Sequence, residues 1–258
     1  MGMKTYLWAC FCLLIGVVGI LSFTGCGAVF VNTGSKNASL ADGISVPVKK
    51  TVSVPPEQRV VMNFEDGSKN TNPKLYGGAD GVWMDTTFGG NTISGDMIGA
   101  PGANGTAKCA RIYGTLVDKG DGTYPAFQLQ GNFKSTGYYD ASAFTGIKFY
   151  YKCTSVDKSL KRRFGIGIAG TLPTAQGGTC TGACFNNFGE DMTVSPDWVA
   201  ESYSFADMKR ESGWGDPVSP PDLTDHLKEF ISLIWANSAN NTAGTYNIDY
   251  SVDEVEFY

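Results

Sequence analysis

The sequence predicts an all-β fold, a β-sandwich or jelly roll, from three observations. Beyond Glu57 the chain breaks into short apolar runs separated by Gly, Asn, Asp and Pro, the punctuation of strands and tight turns. Several runs alternate with a period of two, which packs one side of a strand and leaves the other wetter. Glycine reaches 33 residues and aromatics 12%, a mixture that suits turn-rich sheets with large side chains between them.

In chain order the strands are placed at RVVMNF (59–64), VWMDTTF (82–88), AKCARIYG (107–114) and AFQLQG (126–131). They continue with GIKFYYKC (146–153), FGIGIAG (164–170), DMTVS (191–195), WVAESYSF (198–205), FISLIWAN (230–237) and YNIDYSVDEVEFY (246–258). In AFQLQG, Phe127 and Leu129 face one way while Gln128 and Gln130 face the other; Ile231, Leu233 and Trp235 share a face of FISLIWAN. SFADMKRE reads as one helical turn after a strand, and DLTDHLKEF as a short helix with Asp222 or Thr224 at its N-cap. Neither is long enough to change the class. Residues 57–258 are read as one domain with one core.

The beginning of the chain has a different character. Lys4 precedes an uncharged apolar run from Tyr6 to Leu21, nearer to a signal-peptide core than to the ~20 residues a spanning helix prefers. FTGC then sets Gly25 before Cys26 and resembles a bacterial lipobox, with Phe23 where Leu is usual. The expectation is a lipoprotein signal peptide at 1–25, a lipid on Cys26 and a flexible tether over 26–56, rich in Ser, Asn, Gly and Pro. The folded part is therefore expected outside the cytoplasm, anchored to the membrane of a bacterial cell envelope.

That location bears on the cysteines. Cys10 and Cys12 would leave with the signal, and Cys109, Cys153, Cys180 and Cys184 remain in the folded part. An oxidising compartment favours two disulfides, with three connectivities open. The expected pairing is Cys180–Cys184, inside GGTCTGACFNNFG, and Cys109–Cys153, joining two strands. A zinc site needs further ligands, and His226 is the single histidine of the chain. A redox pair is normally CxxC at a helix start.

Charge and motifs narrow the function classes. The chain carries 20 Lys and Arg against 25 Asp and Glu, a net charge of −5, with no basic cluster larger than KRR at 161–163; a nucleic-acid footprint is not expected. Glycoside hydrolysis needs two carboxylates across the scissile bond. Glu254 and Glu256 alternate in VDEVEF but sit on what reads as a closing strand. No G-x-S-x-G occurs, and His226 has no evident nucleophile beside it. The chain is expected not to be an enzyme. In a sandwich the first and last strands often lie close together. Glu65 and Asp66 of NFEDG and Asp253 of VDEVEF then either meet around a hard cation or remain solvated turn acids.

NFEDG, GGTCTGACFNNFG, DWVAESYSFADM, GWG at Gly213–Gly215 and the terminal YSVDEVEFY occur in this order. The ordered set, spanning Arg59 to Tyr258, resembles bacterial carbohydrate-binding modules of the galactose-binding-like jelly-roll type, the family 11-like group among them. The resemblance implies a structural calcium held by Glu65 and Asp253. It also implies a glycan partner and non-catalytic carbohydrate binding. FNNF at Phe185–Phe188 departs from an Asp-His pair frequent in relatives. Sugars are bound by aromatic rings against C–H faces and by planar amides at hydroxyls. The candidate ligand residues are Gln128 and Gln130, Tyr150, which alternates with Lys148 and Lys152, and Asn187. Trp83, Trp198 and Trp235 are expected in the core and Trp214 near the surface. The alternatives are a structural or protein-interaction module of the cell envelope on the same fold, and a diverged glycoside hydrolase.

Overall fold

A computed structural model describes residues 54–68, 71–72, 80–84, 91–99, 101–122, 125–134, 136–154 and 160–258. The signal segment, the lipobox at Cys26 and nearly all of the tether lie outside the described residues. Eleven strands stand among the described residues: β1 (Val60–Met62), β2 (Asp80–Met84), β3 (Thr92–Gly99), β4 (Lys108–Asp118), β5 (Ala126–Asn132), β6 (Gly146–Cys153), β7 (Lys161–Ile168), β8 (Phe188–Asp191), β9 (Val199–Ser204), β10 (Phe230–Ser238) and β11 (Gly244–Phe257). They form two antiparallel sheets, one ordered β3-β4-β11-β6-β9 with β1 added on β11, the other β2-β5-β10-β7-β8. This is a β-sandwich, as the alternation predicts.

The longest strand, β11, organises the first sheet. Tyr246, Ile248, Tyr250 and Val252 point into the core, while Asp249, Ser251 and Asp253 line the outer face. A bulge follows at Glu254, whose φ is +47°, and it returns Val255 and Phe257 to the core. The bulge also lets the first strand pair with the last: Val60 lies opposite Glu256 and Met62 opposite Val255. The first and last strands therefore do lie side by side.

Aromatic side chains fill the space between the sheets. Trp235 of β10 meets Phe149 of β6 edge-on at 5.4 Å and Phe164 of β7 at 5.3 Å. Each such ring contributes about 1.5–3 kcal/mol by leaving water. Tyr250 adds a polar clamp between the layers. Its hydroxyl donates to the carbonyl of Trp235 at 2.6 Å and accepts from the N–H of Leu129 at 2.9 Å, so β11 of one sheet is pinned to β10 and β5 of the other.

Five local expectations change, the first being that DMTVS (191–195) forms no strand, since β8 ends at Asp191. β3 (TISGDMIG) carries no apolar alternation and is not foreseen; it forms because β4 is long enough to template it, Thr92 to Gly99 against Thr115 to Lys108. Neither short helix forms: Leu223–Asp225 is a single 3-10 turn, and 205–211 is turn and irregular chain. Asp222 does not cap that turn, because its carboxylate accepts from Lys209 Nζ at 2.7 Å. Ile231 does not share the core face of Leu233 and Trp235. A bulge between Phe230 and Ser232 turns it to the outer side, where it packs with Ile234 and Leu172. Trp235 is fully buried as expected, Trp198 is half-buried, and the side chain of Trp83 lies outside what is described.

Candidate functional site

The outer face of the β2-β5-β10-β7-β8 sheet is read from its register. One row across it runs Gln128, Ala236, Arg163 and Asp191; the next runs Gln130, Ile234 and Gly165; the next Asn132, Ser232 and Gly167. Alternation on β5 puts Gln128, Gln130 and Asn132 on this face because Leu129 between them must reach the core. Their amides form a directed ladder: Gln128 Nε2 donates to Gln130 Oε1 at 3.0 Å, and Gln130 Nε2 donates to Asn132 Oδ1 at 2.9 Å. Gln130 is buried and spends its groups on its neighbours, whereas Gln128 and Asn132 are half-buried. An acceptor, Gln128 Oε1, ends the ladder on one side and a donor, Asn132 Nδ2, ends it on the other.

The glycines of β7 let loops settle on the same face. A Cβ on Gly165 would meet Asn187 Cβ at 3.3 Å, and one on Gly167 would meet Leu172 Cδ1 at 2.6 Å. Asn187 thus stands over β7 in the row of Gln130, with its Oδ1 accepting from Thr171 Oγ1 at 2.7 Å. The expected disulfide is present in this loop: Cys180 and Cys184 are bonded, with Cα atoms 5.7 Å apart. Asp216 holds the bridged turn from the next loop, accepting from the N–H groups of Gly182 and Ala183, each at 2.9 Å.

Beyond Arg163 the face ends in charge and an exposed ring. Glu211 pairs with Lys161 and lies 3.7 Å from Arg163 Nε, and it accepts from Trp214 Nε1 at 2.8 Å. Arg163 also reaches Asp191 at 3.2 Å. Partial burial pushes the Glu211 carboxyl up, but the bonds from Lys161 and Trp214 and the Arg163 charge outweigh it and hold the group below its ordinary value. Glu211 is therefore an anchored carboxylate, unsuited to act as a proton donor. Asn132, Arg163 and Glu211 are not among the residues singled out from sequence. The alternation that marks Gln128 and Gln130 extends to Asn132, whereas Glu211 arrives from a distant loop and leaves no local signal.

Tyr150 is not part of this face. It belongs to β6 in the other sheet, opposite Asp253, and its side chain leaves by the far side of the sandwich. There it lines a depression of about 170 Å³ with Lys148, Ala200, Glu201, Glu254 and Glu256. The carboxylates are engaged: Glu254 accepts from Asn104 Nδ2 at 2.7 Å, Glu256 pairs with Lys148 at 2.9 Å, and Glu201 accepts from Tyr203 at 3.0 Å. Which of two sheets a strand joins leaves no mark in its own residues, so a single site containing Gln128, Gln130, Asn187 and Tyr150 is corrected to two separate faces. His226 is buried, bonded to Glu229 and to the carbonyl of Pro220, and serves packing.

Glu65 and Asp253 hold the two ends of one segment. Asp253 Oδ2 accepts from the N–H of Ala103 at 2.9 Å and from Thr106 Oγ1 at 2.6 Å, and Oδ1 accepts from the N–H of Glu254 at 2.8 Å. Glu65 Oε1 accepts from the N–H of Lys108 at 2.8 Å. Asp253 is fully buried, and that burial raises its pKa above the ordinary 3.8 even though neutral donors surround it. A Cβ on Gly102 would come within 2.7 Å of Asp253 Oδ2, so glycine alone leaves space beside the carboxylate. A hard cation such as calcium takes oxygen ligands of this kind, but both carboxylates here accept from protein N–H and O–H groups, and among the described residues no group of three or more acidic, His or Cys side chains gathers as a metal site. Asp66 instead caps its own turn, accepting from the N–H of Ser68 at 2.8 Å.

No protein-family model matches the chain, and no curated protein matches it. Among solved structures the chain is similar to the family 11 carbohydrate-binding module of the cellulosomal cellulase Lic26A-Cel5E of Clostridium thermocellum, with 14% identity over 69% of this chain and 86% of that one and a TM-score of 0.45. It is similar to the family 30 carbohydrate-binding module of the cellulase Cel9D-Cel44B of the same organism, with 12% identity, 70% and 90% coverage and a TM-score of 0.41. SGBP-B from a xyloglucan utilization locus of Bacteroides uniformis shares 14% identity over 78% of this chain and 50% of that one, with a TM-score of 0.41.

The second expected disulfide is absent. Cys109 and Cys153 are both buried and are not bonded to each other. β11 lies between their strands, and Cys109 points to the outer face beside Ser251 while Cys153 points into the core. No rotamer joins thiols on opposite faces of a sheet.

Proposed function

We propose that this protein binds glycan without cleaving it, through the outer face of the β2-β5-β10-β7-β8 sheet. The observation that carries the reading is the amide ladder of Gln128, Gln130 and Asn132, which shares its rows of the face with Ala236 and with Asn187 over β7. Planar amides held in register suit sugar hydroxyls, each of which donates and accepts. Gln130 acts as the brace, and Gln128, Asn132 and Asn187 offer the groups that meet ligand. The carboxylates of this face, Glu211 and Asp191, are paired with cations, which supports binding over hydrolysis.

Calcium in this reading is structural. Glu65 and Asp253 would hold it with Thr106, and its charge would compensate the buried carboxylate and fix the 102–108 segment. A lipid on Cys26 would tether the domain to the cell envelope through residues 26–56. Glycan-array binding of the full chain, followed by chromatography of each bound oligosaccharide after prolonged incubation, tests the reading. It expects selective binding with every oligosaccharide recovered intact; cleavage products would reject it.

A further inference from the structure

We propose that Phe185 and Trp214 form an aromatic subsite that stacks on the C–H face of a neutral pyranose ring, at the Arg163 end of the amide-bearing face. The proposal rests on the glycan-binding reading above and adds the residues and the ligand charge. Both rings are 47% exposed, more than any other large apolar side chain among the described residues. A single exposed apolar residue needs no explanation. Two rings on touching loops, held out by dedicated polar contacts, do.

The mounting begins at Asn186, the neighbour of Phe185. Its Nδ2 donates to the carbonyls of Glu211 at 2.9 Å and Trp214 at 2.6 Å, and its Oδ1 accepts from the N–H of Glu211 at 2.9 Å. Arg210 spans the same junction, donating to the carbonyl of Asn186 at 2.8 Å and that of Asp216 at 2.6 Å. Asp216 grips the disulfide turn from the other side. Phe185 itself sits at φ +72°, a left-handed conformation that costs a non-glycine residue and persists only where surroundings impose it. The indole N–H of Trp214 is spent on Glu211, which fixes the ring edge. Rings held this way lose little freedom on binding. Their electron-rich faces suit the polarised C–H groups of a sugar ring.

The charges bordering the rings decide the class of sugar. Lys161 and Arg163 oppose Glu211 and Asp191, two cations against two anions in mutual contact. A carboxylated sugar would have to break one of these pairs to gain a cation, whereas a neutral ring leaves them intact. Arg163 lies two strand spacings from Gln128, about 10 Å, so one extended chain can meet amides and rings together.

Calorimetric titration of the full chain tests this, using neutral gluco-, xylo-, manno- and galacto-oligosaccharides and an oligogalacturonate. Trp214→Ala is expected to weaken binding of the bound neutral sugar roughly tenfold, and Trp214→Phe to recover most of it. Phe185→Gly should also weaken binding while melting at the same or a higher temperature, since glycine accepts φ +72° without cost. Wild-type affinity in Trp214→Ala and Phe185→Gly, with Gln128→Ala weakened, overturns the subsite and leaves the glycan reading standing. Preference for the oligogalacturonate overturns the neutral class. A wild-type chain that binds none of these sugars overturns the glycan reading itself, and the exposed rings are then better tested as a protein contact.

Discussion

Cys109 and Cys153 flank the same central strand yet face opposite ways, one toward the outer surface beside Ser251 and the other into the aromatic core. Burial pushes the Cys109 thiol up to about 11, with the Asp253 charge adding to it. Both thiols are fully buried, so both should resist alkylation in the native protein and react fully once it is unfolded. Peptide mapping without reductant should return Cys180–Cys184 as the bridge among these four. A Cys109-containing crosslink would contradict the register of β4 and β6.

The Cys180–Cys184 bridge closes a short loop that Asp216 already holds. Cys184→Ser should cost about 2 kcal/mol or less, since a short loop removes little entropy from the unfolded chain. Hydrogen exchange should quicken at Gly182 and Ala183 while the sheets keep their protection. Global loss of protection would show that the loop supports the core, contrary to its place outside it.

The proposed structural calcium would make stability depend on the state of Asp253. Its raised pKa means that the folded state holds its proton to higher pH than the unfolded chain does, so stability without metal falls as pH rises from the ordinary 3.8 through the raised value. A bound cation reverses that loss. Chelation should lower the melting temperature at neutral pH, and the difference should shrink in acid. Asp253→Ala should remove the calcium response, at a cost of about 1–3 kcal/mol for the buried N–H of Ala103 left unbonded. Identical melts with and without chelator would assign Asp253 to holding the 102–106 turn alone.

Arg111 and Asp249 make a two-bond ion pair between β4 and β11, at 2.7 and 2.6 Å. Partial burial raises the Asp249 carboxyl, but the bond from Arg111 and its charge outweigh that and hold it below 3.8. A lowered folded-state pKa contributes stability above the unfolded value and loses it as pH falls through the folded one. Arg111→Ala should cost about 0.5–1 kcal/mol at neutral pH, given the pair's partial exposure, and the deficit should vanish in strong acid. A deficit that does not change with pH would assign the effect to packing of Arg111 over the Tyr113 ring, 4.8 Å away.

Much of the sandwich is legible in the sequence because burial imposes a period of two. GIKFYYKC is read with the bounds the strand has, and Gln128 and Gln130 fall on the side opposite Leu129. The strand β3 is not legible, since TISGDMIG pairs through a neighbour and not through its own pattern. Which sheet a strand enters is likewise invisible locally, so nothing in GIKFYYKC separates Tyr150 from the glutamines of β5. The bulges at Phe230–Ser232 and Glu254 shift faces without a glycine to announce them. Asn132 could have been found by continuing the alternation one step. Glu211 and Trp214 could not be joined to Lys161, because the contact spans about fifty residues of loop and sheet.

In the proposed function the amides of β5 bind sugar and nothing is cleaved. The most direct measurement is calorimetric titration of the full chain and its Gln128→Ala and Asn132→Ala variants with the oligosaccharide that binds best, with the sugar recovered afterward. The wild-type affinity is expected to be weak, micromolar to millimolar (about −4 to −8 kcal/mol), and lowered by ~0.5–1.5 kcal/mol in each variant, with the sugar intact. Unchanged affinity in both variants, or shortened sugar in the recovered pool, would contradict the proposed function.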